Sequence, residues 1–261
     1  MSVPVPPFWR AVGASVVGTS HVKTHLPCQD RLRWELLGPQ RLMVALADGA
    51  GSATYAEVGA ETAVTTAANF LRQALPGEPR SRSDDDWRAL LREALAAARA
   101  AVVVAAKERD VRPRELATTL LLAVCEPDVV AGAQVGDGGF VVGDAAGELT
   151  AVTRPGQSEY INETVFLTAE DALERPQLEV RRGAFTRAAL FSDGLQMLAM
   201  KFPEATPHAP FFRPLLQFVE GTAAVESARR QLEAFLRSPR ITERTDDDLT
   251  LLLAVRAALT S

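Results

Sequence analysis

Residues 116 to 137 narrow most sharply what this chain can fold into. Two apolar runs, "LATTLLLAVCE" and "DVVAGAQVGD", are joined across Glu126-Pro127-Asp128. So short a connection leaves no room for a crossover helix, so the two strands must run antiparallel. The same economy recurs along the chain. "RLRWEL" alternates, with Leu32, Trp34 and Leu36 on one face, and Gly38-Pro39 turns it into "RLMVALAD". "GGFVVGD" and "GELTAVT" meet at Ala145-Ala146-Gly147, and "AALFSDG" and "DDLTLLLAV" complete the set. Hairpin-joined strands with helices inserted as blocks indicate an antiparallel α+β fold rather than a Rossmann type.

Three helices fill the gaps. Over residues 84 to 109, Trp87, Leu90, Leu91, Ala94, Leu95, Ala98 and Val102 recur at helical spacing. Ser83, with Asp86 three places on, forms the capping box that starts this helix. "YAEVGAETAVTTAANFLRQAL" predicts a second, with Val58, Thr62, Thr65, Ala68 and Phe70 on one side. "AAVESARRQLEAFLRS" predicts a third, turning Val225, Ala228, Leu232, Phe235 and Leu236 inward. Residues 203 to 214, "PEATPHAPFFRP", carry four prolines, which argues against regular helix and for a surface insertion. Pro4, Pro6 and Pro7 make residues 1 to 10 an extended lead-in. No repeat or low-complexity linker divides the chain, which reads as a single domain over residues 1 to 261.

A formal charge of -5 and the lack of any basic block argue against a nucleic-acid partner. The longest apolar stretch, "EALAAARAAVVVAAKE", is interrupted by Arg99 and too short to span a bilayer. "MSVPVPPFWR" lacks the charged start and apolar core of a signal peptide. Cys28 and Cys125 have no metal-binding spacing, so a reducing cytoplasm is the expected compartment.

Acidic residues fall at matching strand ends. The hairpin centred on Pro39 is symmetric about Asp30 and Asp48, nine residues away on each side, which sets the two carboxylates side by side. The hairpin centred on Pro127 sets Asp137 opposite Ala117 and next to Thr118. Asp193 ends "AALFSDG", while Asp247 and Asp248 begin "LTLLLAV"; an antiparallel pair brings that end beside that start. Asp48-Gly49, Asp137-Gly138 and Asp193-Gly194 are each explicable as turns. Turns do not explain why the carboxylates converge. Convergent carboxylates repel one another unless a cation joins them. Three His and two Cys make zinc a poor candidate, whereas oxygen ligands suit magnesium or manganese. Two such ions roughly 3.5 to 4 Å apart clamp a phosphate and acidify water, which points to metal-assisted phosphate ester hydrolysis.

At these residues the chain resembles the metal-dependent type 2C Ser/Thr protein phosphatases, particularly their divergent bacterial branch. The matching stretches are "GTSHVKTHLPCQD", "ALADGAGSATYAEVGAE", "ATTLLLAV", "AQVGDGGFVV", "ALFSDGL" and "TDDDLTLLLAV", in the family's order and over nearly the whole chain. The resemblance implies a sandwich of two antiparallel β-sheets flanked by helices, with a binuclear Mn²⁺ or Mg²⁺ centre at one sheet edge. It implies that Asp48 bridges both metals and that the Gly49 carbonyl ligates one. Asp193 and Asp247 would complete one metal's shell, and Asp30 would hold the other through water. Asp137, with Asp193, matches the place of a third, weaker metal. Asp248 stands where many relatives have Asn and would orient Asp247 or bind a shell water. Thr118 and Thr119 would pack behind the ligands.

The family usually grips the substrate phosphate with an arginine five residues before the position of Asp30; here that residue is His25. No histidine follows Asp48-Gly49, where some relatives keep a candidate general acid, which leaves His21 as a second phosphate contact or proton donor. Lys23 reads as solvated. The implied reaction is in-line attack of a metal-bridging hydroxide on phosphoserine or phosphothreonine, in proteins that include a bacterial Ser/Thr kinase or its targets. Two alternatives stand beside it: a weakly active or inactive module that binds a kinase or partner through residues 203 to 214, and a phosphatase of small phosphorylated molecules.

Overall fold

Leu42–Ala47 is buried at every position, without the polar alternation of a half-exposed strand. Met43, Ala45 and Ala47 enter one hydrophobic core, while Leu42, Val44 and Leu46 enter another. Successive side chains point to opposite faces of a strand, so a sheet covered on both sides needs a continuous apolar run.

The chain is described by a computed structural model over residues 8–155, 164–222 and 224–257. Its first half comprises β1 (Phe8–Val16), α1 (Thr19–Thr24), β2 (Arg31–Leu36), β3 (Leu42–Ala47), α2 (Ala56–Ala74), α3 (Asp84–Glu108), β4 (Leu120–Cys125) and β5 (Val129–Val135). There follow β6 (Gly139–Asp144), β7 (Leu149–Thr153), β8 (Gln177–Arg182), β9 (Phe185–Phe191) and α4 (Gln196–Ala199). The remainder is β10 (Met200–Lys201), β11 (Thr206–Pro207), α5 (Ala209–Glu220), α6 (Val225–Leu236), α7 (Pro239–Thr242) and β12 (Leu249–Ala257).

Two five-stranded antiparallel sheets, ordered β1-β12-β9-β6-β7 and β2-β3-β4-β5-β8, stack face to face. Trp9, Leu46, Leu121, Phe140, Leu190 and Leu252 fill the layer between them. Helices α2 and α3 cover the outer face of the second sheet, and α5 and α6 that of the first. This is the four-layer sandwich the sequence implies. Among the described residues no helix is long and apolar enough to cross a membrane.

The hairpin registers decide where the strand-end carboxylates fall. Arg31 pairs with Ala47 and Leu36 with Leu42, so Asp30 and Asp48 stand opposite each other one step beyond the ladder, as expected. The next hairpin differs by one residue. Glu126 N–H donates to Val129 C=O at 2.8 Å, which closes a two-residue turn on Pro127-Asp128. Leu120 therefore faces Val135. Continued past the ladder, that register sets Asp137 against Thr118 and not Ala117. A one-residue slip exchanges the two faces of a strand, so the sequence puts Asp137 on the wrong partner.

Other expectations need correction. Residues 8–10 belong to β1, paired along its length with β12; residues 1–7 of the expected lead-in lie outside the described residues. In α3 the capping box of Ser83 and Asp86 is present, and Trp87, Leu91, Ala94, Leu95, Ala98 and Val102 are buried. Of the expected face of α2, Ala68 is buried and Val58 and Phe70 pack at the margin, but the buried face is centred on Ala60, Ala63, Val64, Ala67 and Leu71. Small alanines let α2 and α3 approach closely, and size was a poor guide to which face turns inward. In α6, Ala228, Leu232 and Leu236 are buried while Val225 is exposed.

The segment at 203 to 214 is only partly irregular. Its second half begins helix α5, with Pro210 in the first turn and Pro214 inside. A proline costs a helix interior about 3 kcal/mol. Phe212, Leu216 and Val219 are buried at spacings of four and three, each contributing about 1.5 to 3 kcal/mol. Burial outweighs the lost hydrogen bond. Phe212 packs on Phe191 with ring centroids 5.9 Å apart, so this stretch is core and not a detached insertion.

Candidate metal centre

The end of β3, the end of β9 and the start of β12 carry Asp48, Asp193 and Asp247 to one edge of the sandwich, where Asp30 enters from the loop before β2. Asp30 is 1% exposed. Its Oδ2 accepts from Ser192 Oγ at 2.8 Å, and Ser192 Oγ accepts in turn from Thr250 N–H at 3.0 Å. Asp48 is fixed through its backbone. Its N–H donates to Thr119 Oγ1 at 2.9 Å, and its carbonyl accepts from Thr118 Oγ1 at 2.9 Å and Thr119 N–H at 2.8 Å. Gly49 bridges to Thr118 across the same gap. Thr118 thus holds the Asp48-Gly49 turn without touching the carboxylate.

Burial and mutual repulsion dominate the electrostatics. Burial, with Asp248 and Asp193 nearby, pushes the Asp30 carboxyl up to about 7, against the pull of the Ser192 and Thr250 hydroxyls. Burial and the charges of Asp30, Asp193 and Asp247 hold Asp48 well above the usual carboxylate range. Asp193 rises to about 6, by burial first and then by Asp137 and Asp247. Asp48 and Asp193 lie close enough for each to perturb the other. Asp247 is also raised, mainly by burial. No lysine or arginine stands among the strongest influences on Asp30, Asp48 or Asp193.

Cations fit this arrangement. Asp30 Oδ1 and Asp193 Oδ1 are buried and have no hydrogen-bond partner among the described residues, an arrangement that costs free energy unless something positive meets them. The donors are hard oxygens, which suits Mg²⁺ or Mn²⁺. Among the described residues no three His, Cys, Asp or Glu side chains wrap a single ion as they stand. Hydrated ions that keep several waters need few protein ligands each, so the shortfall is consistent with the donor set. Burial pushes Cys28 up to about 12 and raises Cys125 further, so neither thiol is a nucleophile near neutral pH.

Asp248 meets Asp247 as the sequence suggests, though through its backbone and not its carboxylate. Its backbone N–H donates to Asp247 Oδ1 at 2.8 Å, while its own carboxylate turns away toward the loops flanking α1. Oδ1 accepts from Gly18 N–H at 2.6 Å and Oδ2 from Gln29 N–H at 2.5 Å. His21 Nδ1 lies 3.0 Å from Oδ2, within ion-pair range though poorly aligned for a hydrogen bond. Glycine is required on both sides of this strand start. A Cβ on Gly18 would sit 2.3 Å from Asp247 C, and one on Gly194 would sit 2.3 Å from Asp248 O.

Of the other expected residues, Asp137 lies near Asp193 and accepts from Thr164 Oγ1 at 2.5 Å. His25 is not drawn in. It caps α1 in a left-handed conformation (φ 57°), is exposed, and joins none of the contacts above. Sequence reasoning missed Ser192, Gln29 and Thr164. Ser192 had a signal, since it precedes Asp193 and alternation turns it toward the neighbouring carboxylate; Thr164 had none.

Comparison with known proteins agrees with this geometry. A family model described as Protein phosphatase 2C matches residues 17–237. The chain is 37% identical over 258 residues to serine/threonine-protein phosphatase 3 of Escherichia coli (strain K12), covering 95% of this chain and 99% of that one. The structure of the serine/threonine phosphatase Stp1 from Staphylococcus aureus superposes with a TM-score of 0.64 at 17% identity, covering 99% of both chains. That of the Mycobacterium tuberculosis phosphatase PstP superposes with a TM-score of 0.61 at 18% identity, covering 95% of this chain and 99% of that one. With its two-sheet sandwich and its edge of buried carboxylates, the chain belongs to the protein phosphatase 2C family.

Proposed function

We propose that the protein is a Mg²⁺- or Mn²⁺-dependent phosphatase of phosphoserine and phosphothreonine in proteins. The observation that carries this reading is the convergence of the fully buried Asp30 with the partly buried Asp48, Asp193 and Asp247 at one sheet edge of a type 2C fold, with no lysine or arginine among the strongest influences on any of them. Asp48, the Gly49 carbonyl, Asp193 and Asp247 would hold two ions, with Asp30 acting through water and Asp137 with Asp193 offering a third, weaker position. When bound, the ions would supply Lewis acidity toward the phosphoryl oxygens and acidify attacking water.

The protein's own groups orient the substrate. Asp248 Oδ2 beside His21 Nδ1 favours the proton on Nδ1, which leaves Nε2 as the atom free to meet substrate. As imidazolium, His21 donates from Nε2 to a phosphoryl oxygen or to the departing seryl oxygen. His25, at the exposed end of the same helix, is a rim residue unless its removal weakens phosphate binding. The E. coli relative's name and the absence of a thiolate nucleophile favour protein phosphoesters and direct hydrolysis. A cytoplasmic site of action against a bacterial Ser/Thr kinase or its targets fits this reading.

The test is turnover of phosphoserine and phosphothreonine peptides with added Mn²⁺, with a chelator, and against a panel of phosphorylated small molecules. Peptide turnover that needs the metal is expected. Full turnover in excess chelator, or turnover of small phosphoesters alone, would overturn the reading.

A further inference from the structure

Beside the carboxylate edge, between the end of β1, helix α1 and the ends of α6 and β12, lies a cavity of about 170 Å³. Val16, Val22, Leu236 and Leu249 make the larger, apolar part of its walls, three threonines add hydroxyls, and it carries two charged side chains, Asp247 and Arg237. Asp247 and Gly18 belong to both the cavity and the carboxylate edge, so the two spaces share a wall. Thr19 and Val22, three apart on α1, line the cavity, while His21 on the neighbouring face of the same turn reaches Asp248. A substrate whose phosphate meets His21 therefore has its adjoining chain at the cavity mouth.

We propose that this cavity is a specificity subsite that takes one neutral apolar side chain, of leucine, methionine or phenylalanine size, next to the phosphorylated residue of a protein substrate. Size supports the assignment, since a cavity of about 150 Å³ holds a benzene-sized group while whole small-molecule ligands need about 300 Å³ or more. Asp247 is committed to the metal centre in the protein-phosphatase reading, so the selectivity rests on the apolar walls, which reward a neutral side chain. Val22 stands at the mouth 55% exposed, an apolar surface that a docked side chain would cover. The inference rests on the protein-phosphatase reading, but the two fail differently.

The test is a positional scan of phosphoserine peptides with Mn²⁺, varying one residue on either side of the phosphoserine, with phenyl phosphate as a substrate that has no flanking residue. Wild type should favour Leu, Met or Phe over Gly or Asp at one of these positions by about tenfold in kcat/KM, the scale of a filled apolar pocket. Val22→Trp, which places an indole over the mouth at an exposed position, should reduce that preference to below about threefold while phenyl phosphate turnover stays within about twofold. Val22→Glu should disfavour Asp further and leave phenyl phosphate unchanged. A flat scan in wild type, or a preference that survives Val22→Trp, would overturn the subsite while leaving the phosphatase reading intact. An enzyme that hydrolyses phenyl phosphate but no peptide would overturn both.

Discussion

Asp30→Asn in metal-free protein tests whether the carboxylates are held against their own repulsion. Burial raises the Asp30 carboxyl from 3.8 to about 7, worth at most about 4 kcal/mol. The sign follows from proton binding. Between pH 3.8 and about 7 the folded protein holds a proton at Asp30 that the unfolded chain has released, so stability falls as pH rises through that window and levels off above it. Asparagine cannot ionise. It keeps an acceptor for Ser192 Oγ and presents an amide toward the neighbouring carboxylates. In chelator at pH 8, Asp30→Asn should melt above wild type, by roughly 5 to 10 °C for a domain of this size once relaxation is discounted. At pH 3.5 to 4 the difference should nearly vanish. Saturating Mn²⁺ should stabilise wild type more than the variant. Calorimetry at both pH values with chelator, and at pH 8 with metal, supplies the data. A variant that melts below wild type in chelator at pH 8 would show that the charge stabilises the empty fold and refute the reasoning.

Three further outcomes follow from other contacts. If Asp248 acts through His21, then Asp248→Asn should lower kcat on phosphopeptides in wild type by at least tenfold, yet change kcat less than threefold in a His21→Ala background; multiplicative losses in that cycle would make Asp248 a loop anchor only. His25→Ala should leave KM for phosphopeptides within about twofold, because the side chain is exposed at a helix end, and a rise of tenfold or more would return it to the phosphate. Arg41 is buried, paired with Glu126 at 2.6 Å, and donates to Leu75 C=O at 2.8 Å and Gly77 C=O at 2.9 Å. Arg41→Ala leaves a buried carboxylate unpaired and should cost about 3 to 5 kcal/mol in denaturant unfolding, without altering metal affinity of the folded protein.

Much of the fold was legible because turns too short for crossovers force antiparallel pairing. The register of β2 and β3 followed from Gly38-Pro39, and with it the meeting of Asp30 and Asp48. The Pro127 turn shifts the register by one residue from what the sequence suggests, because a two-residue turn and one centred on the proline differ only in the bond from Glu126 to Val129. Strands β1 and β8 escaped notice. Gly13 and Ser15 dilute the apolar signal of β1, and three charged residues, Glu179, Arg181 and Arg182, lie in β8 at a sheet edge. Helix α5 was hidden by Pro214, whose local cost is smaller than what Phe212, Leu216 and Val219 contribute by burial. At the site, the carboxylates announced themselves through Asp-Gly pairs at strand ends. Their supports did not, because a hydroxyl at Ser192 or Thr164 and a backbone N–H at Gln29 acquire meaning only through partners distant in sequence.

Crystals grown with Mn²⁺ and measured for anomalous scattering test the central claim most directly. The account predicts two manganese peaks at the sheet edge, with Asp48 within reach of both and Asp193 and Asp247 within reach of one of them. A map with no anomalous peak within reach of Asp48 and Asp193 at saturating Mn²⁺ would contradict it.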